Sequence, residues 1–271
     1  MAKAMYIGDD NGVATKAKKC YIGDDNDVAR KIKKMYIGDD NGIARLFYSA
    51  ESPIGDLAVG SSVFLNVNGA RTEFIVVHQG RPSDVYDASC DGTWLLMKNL
   101  HAKAQWDSAD NDYANSDVRA YLDNTFINLL DSGVQSAIKQ VKIPYYSGAG
   151  TQGSVKHGEN GFPAKSFLLS GYELDWTTST NSGFPVDGAC LDYFVGCGNY
   201  HTKRAANYNG ESYASTWWTR SCNVRNTTSI WTVLDNGSGA GKTSANEYGI
   251  RPAFILPKDA KVDGSFNVVS N

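Results

Sequence analysis

The chain has 271 residues, of which 42% are hydrophobic and 20% are charged, and its formal net charge is −3. A charge this close to zero gives no electrostatic reason to expect binding to nucleic acid or to an anionic membrane surface. No apolar run approaches the roughly 18 residues of a membrane span, and no apolar segment follows the N-terminal methionine, so we expect neither membrane insertion nor a secretory signal peptide.

The cysteine content indicates a reducing compartment. The cysteines are Cys20, Cys90, Cys190, Cys197 and Cys222. An odd, sparse set of thiols in a chain of this length does not predict a disulfide framework, so we expect synthesis in a reducing cytoplasm. A disulfide between Cys190 and Cys197, formed after release from a cell, stays open.

The first feature along the chain is an internal repeat. The segment YIGDDNGVA at residues 6–14 returns with small changes at residues 21–29 and 36–44, a period of 15 residues, and lysines separate the copies. Two short apolar runs flank an Asn-Gly or Asn-Asp turn, which predicts a small β-hairpin or one rung of a β-stack for each copy. Because units this small cannot bury an apolar face alone, we interpret residues 1–45 as an attachment or assembly module, with a floppy tether as the alternative.

A linker is expected at residues 46–57, where Pro53 and Gly55 occur, and a main domain at residues 58–257 with a C-terminal tail at residues 258–271. Strands are predicted at residues 73–78, 93–97, 167–169, 217–220, 230–234 and 250–256. Asn236-Gly237 predicts a hairpin turn after the fifth of these strands.

Two helices are predicted early in the main domain. The first begins after Asn115 or Ser116, whose side chains can cap free backbone N–H groups. Its apolar residues at nearly helical spacing are Val118, Tyr121, Leu122, Phe126, Leu129 and Leu130. The second begins near Ser132, and Ser170 with Glu173 forms a capping box for a third, shorter helix. Early helices followed by short strands and Gly-rich loops indicate an α+β domain.

Four separated motifs carry a family resemblance. They are NDYANSDVRAYL at residues 111–122, FLLS at 167–170, WWTRS at 217–221 and GIRPAF at 249–254. Their order and spacing, over roughly residues 59–257, resemble the DUF6273 family of gut bacteria and phages. The resemblance implies a C-type-lectin-like domain with two early helices, short twisted antiparallel strands and long loops, preceded by short β-hairpin repeats. Cys222 departs from the family pattern, which usually has proline there.

The same resemblance implies a function. Some such domains are receptor-binding variable proteins of diversity-generating retroelements, and the lysine-spaced repeats resemble N-terminal segments of phage structural proteins. We therefore expect a non-enzymatic ligand-binding protein on a phage tail or bacterial surface, without cofactor. Its expected partners are a host-surface protein or glycan, other virion proteins through the repeats, and further copies of itself. The alternatives are a structural virion protein, or an enzyme related to formylglycine-generating folds with Cys222 as its reactive residue.

The binding face is predicted between Trp218 and Gly249, where small polar and tyrosine side chains lie between apolar anchors. The predicted ligand-binding residues are Asn223, Arg225, Asn226, Thr228, Thr232, Leu234, Ser238, Asn246 and Tyr248. Thr232 and Leu234 alternate with Trp231 and Val233, which predicts that they face outward from a strand. The alternative is an ordinary polar loop region.

Other candidate sites are weaker. The glycines and lysine at residues 237–243 resemble a phosphate loop, but too little chain follows for a nucleotide-binding sheet. The trio Asp107, Asp110 and Asp112 lacks the spacing of a calcium loop. The trio Cys190, Cys197 and His201 lacks the spacing of a zinc site, so no metal is expected. Arg220 and Arg251 are interpreted as structural residues that tie loop carbonyls together.

Overall fold

The computed structural model describes most of the chain. The described residues are 6–8, 14–16, 21–23, 29–32, 34–38, 44–49, 51–176, 183–198, 202–208 and 211–269. Their strands are, in chain order, β1 (Tyr6–Gly8), β2 (Ala14–Lys16), β3 (Tyr21–Gly23), β4 (Ala29–Lys31), β5 (Lys34–Gly38), β6 (Ala44–Ser49), β7 (Ser52–Pro53), β8 (Ser62–Val67), β9 (Ala70–Gly80), β10 (Gly92–Met97), β11 (Ala102–Gln105), β12 (Val141–Ile143), β13 (Tyr145–Ser147), β14 (Ser154–Lys156), β15 (Phe162–Ala164), β16 (Ser166–Phe167), β17 (Trp217–Cys222), β18 (Ser229–Val233), β19 (Gly239–Thr243), β20 (Glu247–Ile250), β21 (Ala253–Leu256), β22 (Lys261–Val262) and β23 (Val268–Val269).

Helical structure is short throughout. The α-helices are α1 (Asp117–Tyr121) and α2 (Ser132–Ala137), and α1 continues as a π turn (Leu122–Phe126) and a 3-10 turn (Ile127–Leu129). Isolated 3-10 turns lie at Ile54–Asp56, Ala88–Cys90, Tyr113–Asn115, Gly150–Gln152 and Asp192–Phe194.

Each of the three N-terminal repeats contains one antiparallel pair of short strands, the pairing expected of a β-hairpin, and we call these pairs the N-terminal hairpins. β1 pairs with β2, β3 with β4, and β5 with β6, all antiparallel. The register is shared, since Gly8 lies opposite Ala14 and Gly23 lies opposite Ala29. The predicted turn residues, Asn11-Gly12, Asn26-Asp27 and Asn41-Gly42, lie outside the described residues.

Two five-stranded sheets make up the body of the main domain. The first has the order β16-β21-β10-β9-β8, and the second the order β11-β20-β17-β18-β19. In β10 every residue from Gly92 to Met97 is buried, because β9 and β21 flank it and both faces are packed. The strands predicted at residues 73–78 and 93–97 are confirmed as β9 and β10.

The predicted fold class, an α+β C-type-lectin-like domain with two early helices, is wrong. Strands account for 38% of the chain and helices for 16%, and the long helical segment has only 13 residues. That segment does begin where predicted, because Ser116 Oγ accepts from the backbone N–H of Arg119 at 3.3 Å. The spacing of apolar residues indicates which side of a helical segment is buried. It does not indicate how long the segment is or what fraction of the domain is helical. Many short strands instead form by pairing with distant partners, such as β16 with β21.

A third predicted helix is replaced by a turn. The reciprocal bonds of the capping box are present, since Ser170 N donates to Glu173 Oε2 at 2.8 Å and Glu173 N donates to Ser170 Oγ at 3.1 Å. The chain turns at residues 171–175 without continuing as a helix. A cap satisfies the first free N–H groups of a helix or of a turn alike, so it does not determine the conformation of the residues after it.

Arg251 hydrogen-bonds to carbonyls of the first sheet and of a neighbouring loop. This confirms the prediction that it is a structural residue. The fully buried guanidinium donates to the carbonyls of Met97 and Lys98 at 2.9 Å each and to that of Arg204 at 3.2 Å. It also lies over the Trp217 ring, 5.1 Å from its centroid. Burial lowers its pKa to about 10.

The segments on either side of the main domain pack against its first sheet. β7 pairs with β22, and β22 with β23. Ile54 and Val262 are fully buried, and Ile54 N donates to the Ala260 carbonyl at 2.7 Å. The predicted boundaries of the linker and the tail remain predictions.

Candidate functional site

The nine predicted ligand-binding residues divide between the two ends of the β18–β19 hairpin. In this antiparallel pair Ser229 lies opposite Thr243 at one end, and Val233 lies opposite Gly239 at the other. The residues at the first end are Asn223, Arg225, Asn226, Thr228 and Asn246. The residues at the second end are Leu234 and Ser238. Thr232 lies on β18 and Tyr248 lies on β20. The ends are roughly 13 Å apart along the strands, so the nine residues do not form one compact patch.

The outward orientation predicted for Thr232 is wrong. This residue is 0% exposed, and its Oγ1 donates to the Ala240 carbonyl at 2.8 Å. Its cross-strand neighbour Trp218 is fully buried too. Alternation separates the two faces of a strand, but it does not show whether the second face is also packed. Leu234, which was also expected to face outward, is half-buried.

Residues 223–228, which join β17 to β18, are the most exposed part of the predicted site. Asn223 Oδ1 accepts from the backbone N–H of Arg225 at 2.9 Å, and Asn226 Oδ1 accepts from that of Thr228 at 2.8 Å. Both are Asx turns, in which a short side chain fixes its own loop. Asn223 and Asn226 therefore shape the loop, while Arg225 is exposed on it.

A fully buried side chain, Asn111, holds this loop from beneath. Its Nδ2 lies 3.1 Å from the Asn223 carbonyl, 2.7 Å from that of Asn226 and 2.9 Å from that of Ser229. Its Oδ1 accepts from the backbone N–H of Gly150 at 3.2 Å. Buried polar groups need such partners because no water replaces them, so one amide fixes two neighbouring loops.

The second of these loops, residues 148–153, packs directly on the first. Gly150 has a left-handed φ of 54°, and a Cβ there would lie 2.7 Å from Thr227 Cγ2. Both the backbone angle and the close approach therefore require glycine. Tyr146 donates its hydroxyl to the Gly150 carbonyl at 2.6 Å, which anchors the same peptide from the core side.

The turn at residues 244–246 completes the surface. Ser244 N donates to the Thr228 carbonyl at 2.8 Å, and the Ser244 carbonyl accepts from Trp106 N at 2.9 Å. Asn246 is exposed on this turn, and its Nδ2 lies 3.4 Å from the Tyr248 hydroxyl. We refer to residues 107–112, 148–153, 223–228 and 244–246 together as the loop surface.

The three aspartates considered as calcium ligands cap backbone groups in the loop surface. Asp107 Oδ1 accepts from the N–H groups of Ala109 and Asp110, at 2.7 and 3.0 Å. Asp110 Oδ1 accepts from Asp112 N at 2.8 Å, and Asp112 Oδ1 accepts from Ala114 N at 3.2 Å. This succession of Asx turns leads the chain toward α1, and it accounts for the spacing of the acids without a cation.

The remaining predicted residues have local structural contacts. Ser238 donates its hydroxyl to Asn236 Oδ1 at 2.7 Å within the β18–β19 turn, where the predicted Asn236-Gly237 hairpin is confirmed. Tyr248 is half-buried, and its ring centroid lies 4.9 Å from that of Trp218 in an edge arrangement. Through Asn246, Tyr248 borders the loop surface, whereas Ser238 lies at the far end of the hairpin.

A buried ion pair fixes β17, the strand that leads into the loop surface. Arg220 Nη1 and Nη2 donate to the two carboxylate oxygens of Glu173 at 2.6 and 2.7 Å. The guanidinium also donates to the carbonyls of Pro144, Leu168 and Asp187. Every donor of this fully buried group is used, which confirms the structural interpretation of Arg220.

A second buried carboxylate, Asp187, lies beside this pair. It accepts from Ser221 Oγ at 2.8 and 3.0 Å. Burial raises the pKa of Asp187 to about 7; nearby Glu173 also raises it, while Arg220 and the Ser221 bond lower it. Tyr86 donates its hydroxyl to Glu173 at 2.8 Å. These groups are buried, and their hydrogen bonds support the sheet.

The thiols provide no activated nucleophile among the described residues. Cys222 is 1% exposed, and burial raises its pKa. Burial likewise raises the pKa of Cys90 to about 12. Since the thiolate is the reactive form, these environments suppress reactivity. Cys190 and Cys197 are free thiols, and His201 lies outside the described residues.

Sequence reasoning missed Asn111, Glu173 and Asp187 as the groups that position the site. Asn111 did have a signal, because it opens the motif at residues 111–122. Glu173 was visible only as a cap, and nothing in the local sequence around Asp187 distinguishes it from an exposed loop aspartate.

Comparison with known proteins identifies a family. A family model described as a domain of unknown function, DUF6273, matches residues 91–258. No curated protein and no solved structure matches the chain. Within the described ranges, none of the helices has the length and apolar character needed to cross a membrane.

Proposed function

We propose that this chain, which belongs to the DUF6273 family, is a ligand-binding protein of phage or prophage origin. It presents the loop surface to a protein or glycan on a host cell. The observation that carries this proposal is the contrast within residues 223–228, where buried Asn111 and two Asx turns fix the backbone while Arg225 is exposed. A loop held in this way tolerates new outward side chains without loss of the fold, as a recognition surface requires.

The chemistry of the loop surface suits recognition of a polar ligand. Its exposed side chains include one cation, Arg225, with the hydroxyl of Thr227 and the amide of Asn246. Tyr248 adds a ring at the border that is held against Trp218. Hydroxyl, amide and tyrosine groups on a rigid backbone give adaptable hydrogen bonds and contact area at small entropic cost.

The position of the loop surface suits display from a particle. The N-terminal hairpins lead into β7, and the sheet of β7, β22 and β23 lies beside β8, the edge strand of the first sheet. Three of the four segments of the loop surface follow strands of the second sheet, and the fourth, residues 148–153, joins β13 to β14. In the proposed arrangement the hairpins bind other virion proteins or further copies of the chain, on a phage tail or a bacterial surface, and leave the loop surface free.

A finer proposal is that this is a variable protein of a diversity-generating retroelement. The support is the resemblance of its motifs and three of the four asparagines of the loop surface, Asn223, Asn226 and Asn246, whose codons suit adenine mutagenesis. The surrounding DNA tests this. A reverse transcriptase gene beside a near-copy of the codons for residues 215–250 is expected, and the absence of both would contradict it.

A structural virion protein without a receptor is the second candidate, and the observation that favours it is the array of three hairpins in one register. The enzymatic alternative rests on Cys222, whose burial and raised pKa do not favour it.

The experiment that tests the proposal is binding of the purified full chain to arrays of host-surface proteins and glycans. Selective binding is expected, and an Arg225→Ala, Asn246→Ala double variant should weaken it at least tenfold, which corresponds to about 1.4 kcal/mol. Its melting temperature should stay within about 2 °C of the parent, because both side chains are exposed.

The matched control is the Arg81→Ala, Asn66→Ala double variant, which removes the same side-chain types from exposed positions of the first sheet. It should bind like the parent chain. No binding across a broad panel would favour the structural candidate. Selective binding that both double variants retain would move the site away from the loop surface.

A further inference from the structure

Cys190 and Cys197 stand at the two ends of a compact loop. The chain turns between them through the 3-10 turn Asp192–Phe194. It turns again at Gly196, which has a left-handed φ of 79°. The backbone N–H of Cys197 donates to the Phe194 carbonyl at 3.0 Å, which closes the turn. The loop therefore returns its second cysteine toward its first.

Both ends of this loop meet one carboxylate. Asp175 Oδ2 accepts from the backbone N–H of Gly198, the residue after Cys197, at 3.1 Å. The Cys190 thiol donates to the Leu191 carbonyl at 3.6 Å. Burial raises the pKa of this thiol, and the nearby Asp175 carboxylate raises it further. Asp175 has a left-handed φ of 66°, which is unusual for a non-glycine residue and indicates that its surroundings determine its position. The charge of Cys197 also raises the pKa of Cys190, so Asp175 and the two cysteines lie near one another.

A buried arginine holds this arrangement in place. Arg204 is fully buried, and its Nε donates to the Leu174 carbonyl at 2.6 Å. Its Nη2 donates to the Gly198 carbonyl, and its Nη1 donates to the Gly237 carbonyl at 3.1 Å. The base of the cysteine loop is thus tied to the turn of the β18–β19 hairpin.

We propose that Cys190 and Cys197 are a disulfide site that closes when the chain meets an oxidising small-molecule disulfide such as oxidised glutathione. One cysteine thiolate attacks the glutathione disulfide, forms a mixed disulfide and releases one reduced glutathione. The second thiolate then attacks the cysteine sulfur of the mixed disulfide and releases the other. Two electrons pass from the cysteines to glutathione, and the two thiol protons end on the two glutathione thiols.

The reaction is slow because burial keeps both cysteines in the unreactive thiol form. Burial raises the pKa of Cys190 to about 12, and the charge of Asp175 adds to the effect. Burial raises the pKa of Cys197 as well, while Arg204 lowers it. Little thiolate exists at neutral pH. The site therefore suits a slow, lasting closure outside the cell in which the chain is made.

Closure stabilises the fold. The bond removes conformational freedom from the unfolded chain. It also restrains the end of the hairpin that holds Ser238, because Arg204 already joins that turn to the cysteine loop. This inference stands apart from the proposed function, since it needs no ligand.

The test uses the full chain with Cys20→Ser, so that Cys20 cannot link two molecules. Incubation of the reduced protein with oxidised glutathione in mildly alkaline buffer should lower the thiols titrated after denaturation from four to two. Mass mapping should find the peptide that contains Cys190 and Cys197 lighter by two hydrogens. The melting temperature should rise by roughly 5 °C.

The control variants are Cys190→Ser and Cys222→Ser in the same background. Cys190→Ser should lose both the thiol decrease and the melting shift, and Cys222→Ser should keep both. Retention of four thiols in the parent, stable glutathione adducts on single cysteines, or a melting shift that survives Cys190→Ser would each overturn the proposal. Mass mapping of the parent decides the question even where a variant folds poorly.

Discussion

At the residue scale, the loop surface depends most directly on Asn111. A leucine would match its burial, but the Asn226 carbonyl would lose its Asn111 donor and the buried Gly150 N–H would lose its acceptor. The carbonyls of Asn223 and Ser229 would keep their backbone donors. Asn111 therefore acts on the backbone of the loop surface.

The first prediction concerns this residue. Asn111→Ala should lower the free energy of unfolding by about 1–3 kcal/mol, because it leaves buried backbone groups unsatisfied. Urea denaturation measures the change. Asn246→Ala, at an exposed position, should change it by less than about 0.5 kcal/mol. Equal effects of the two substitutions would show that Asn111 does not organise the loops.

The second prediction rests on the raised pKa of Asp187, about 7 against 3.8 for the ordinary group. Between these values the unfolded chain releases a proton that the folded chain keeps. The contribution of Asp187 is therefore fully present below about pH 4 and is lost as the pH rises through 7, by up to about 1.4 kcal/mol per pH unit. Asp187→Asn removes this titration.

Urea denaturation of the parent and of Asp187→Asn at several pH values between 4 and 8 checks this. The variant should gain stability relative to the parent as the pH rises. Asp235→Asn, an exposed aspartate, is the control and should follow the parent at every pH. A stability difference between parent and Asp187→Asn that does not change with pH would show that Asp187 is ionised in the folded chain throughout.

At the scale of the element, the N-terminal hairpins differ from the sheets of the main domain. The described strands of residues 6–49 pair within their own hairpins, and no pairing in the described part joins them to the strands from β7 onward. A two-stranded hairpin is at best marginally stable alone. Under the proposed function, other virion proteins or further copies of the chain would stabilise these hairpins.

The third prediction comes from this separation. Deletion of residues 1–45 should shift the melting temperature of the remaining chain by less than about 2 °C, because no strand pairing of the main domain is lost in the described part of the chain. Differential scanning calorimetry measures it. The deletion should also abolish any self-association that sedimentation detects in the full chain. A main domain that fails to fold after this deletion would refute its independence.

At the scale of the whole molecule, the segments that flank the main domain lie beside the first sheet, while internal loops form the proposed recognition surface. The C-terminal segment supplies β22 and β23 beside β7, and Phe64 N on β8 donates to the Phe266 carbonyl at 2.8 Å. None of these terminal strands pairs with a strand of the second sheet.

The fourth prediction tests the C-terminal segment. Removal of residues 258–271 should lower the free energy of unfolding by at least about 2 kcal/mol, since it exposes the contacts of fully buried Val262 and breaks hydrogen bonds to Ile54 and Gly55. Thermal unfolding should show a clear decrease in melting temperature, in contrast to deletion of residues 1–45. An unchanged melting temperature would assign these residues to a dispensable tail.

Features that depend on neighbouring residues could be predicted from the amino-acid sequence. They are the hairpins of the repeats, the strands β9 and β10, the Ser116 cap, the Asn236-Gly237 turn and the membership of the DUF6273 family. Each is encoded within a few consecutive residues or in a motif that can be read directly.

Features that depend on distant segments emerged only in the folded chain. In the mostly β fold, β16 pairs with β21 and β11 pairs with β20, and long stretches of chain separate the members of each pair. The spacing of apolar residues within one segment does not indicate which distant segment it pairs with. Thr232 alternates as an outward residue would, yet a second packed layer buries it. Asn111 and Asp187 differ from exposed residues of the same type only in what lies around them, so their roles arise when distant segments come together.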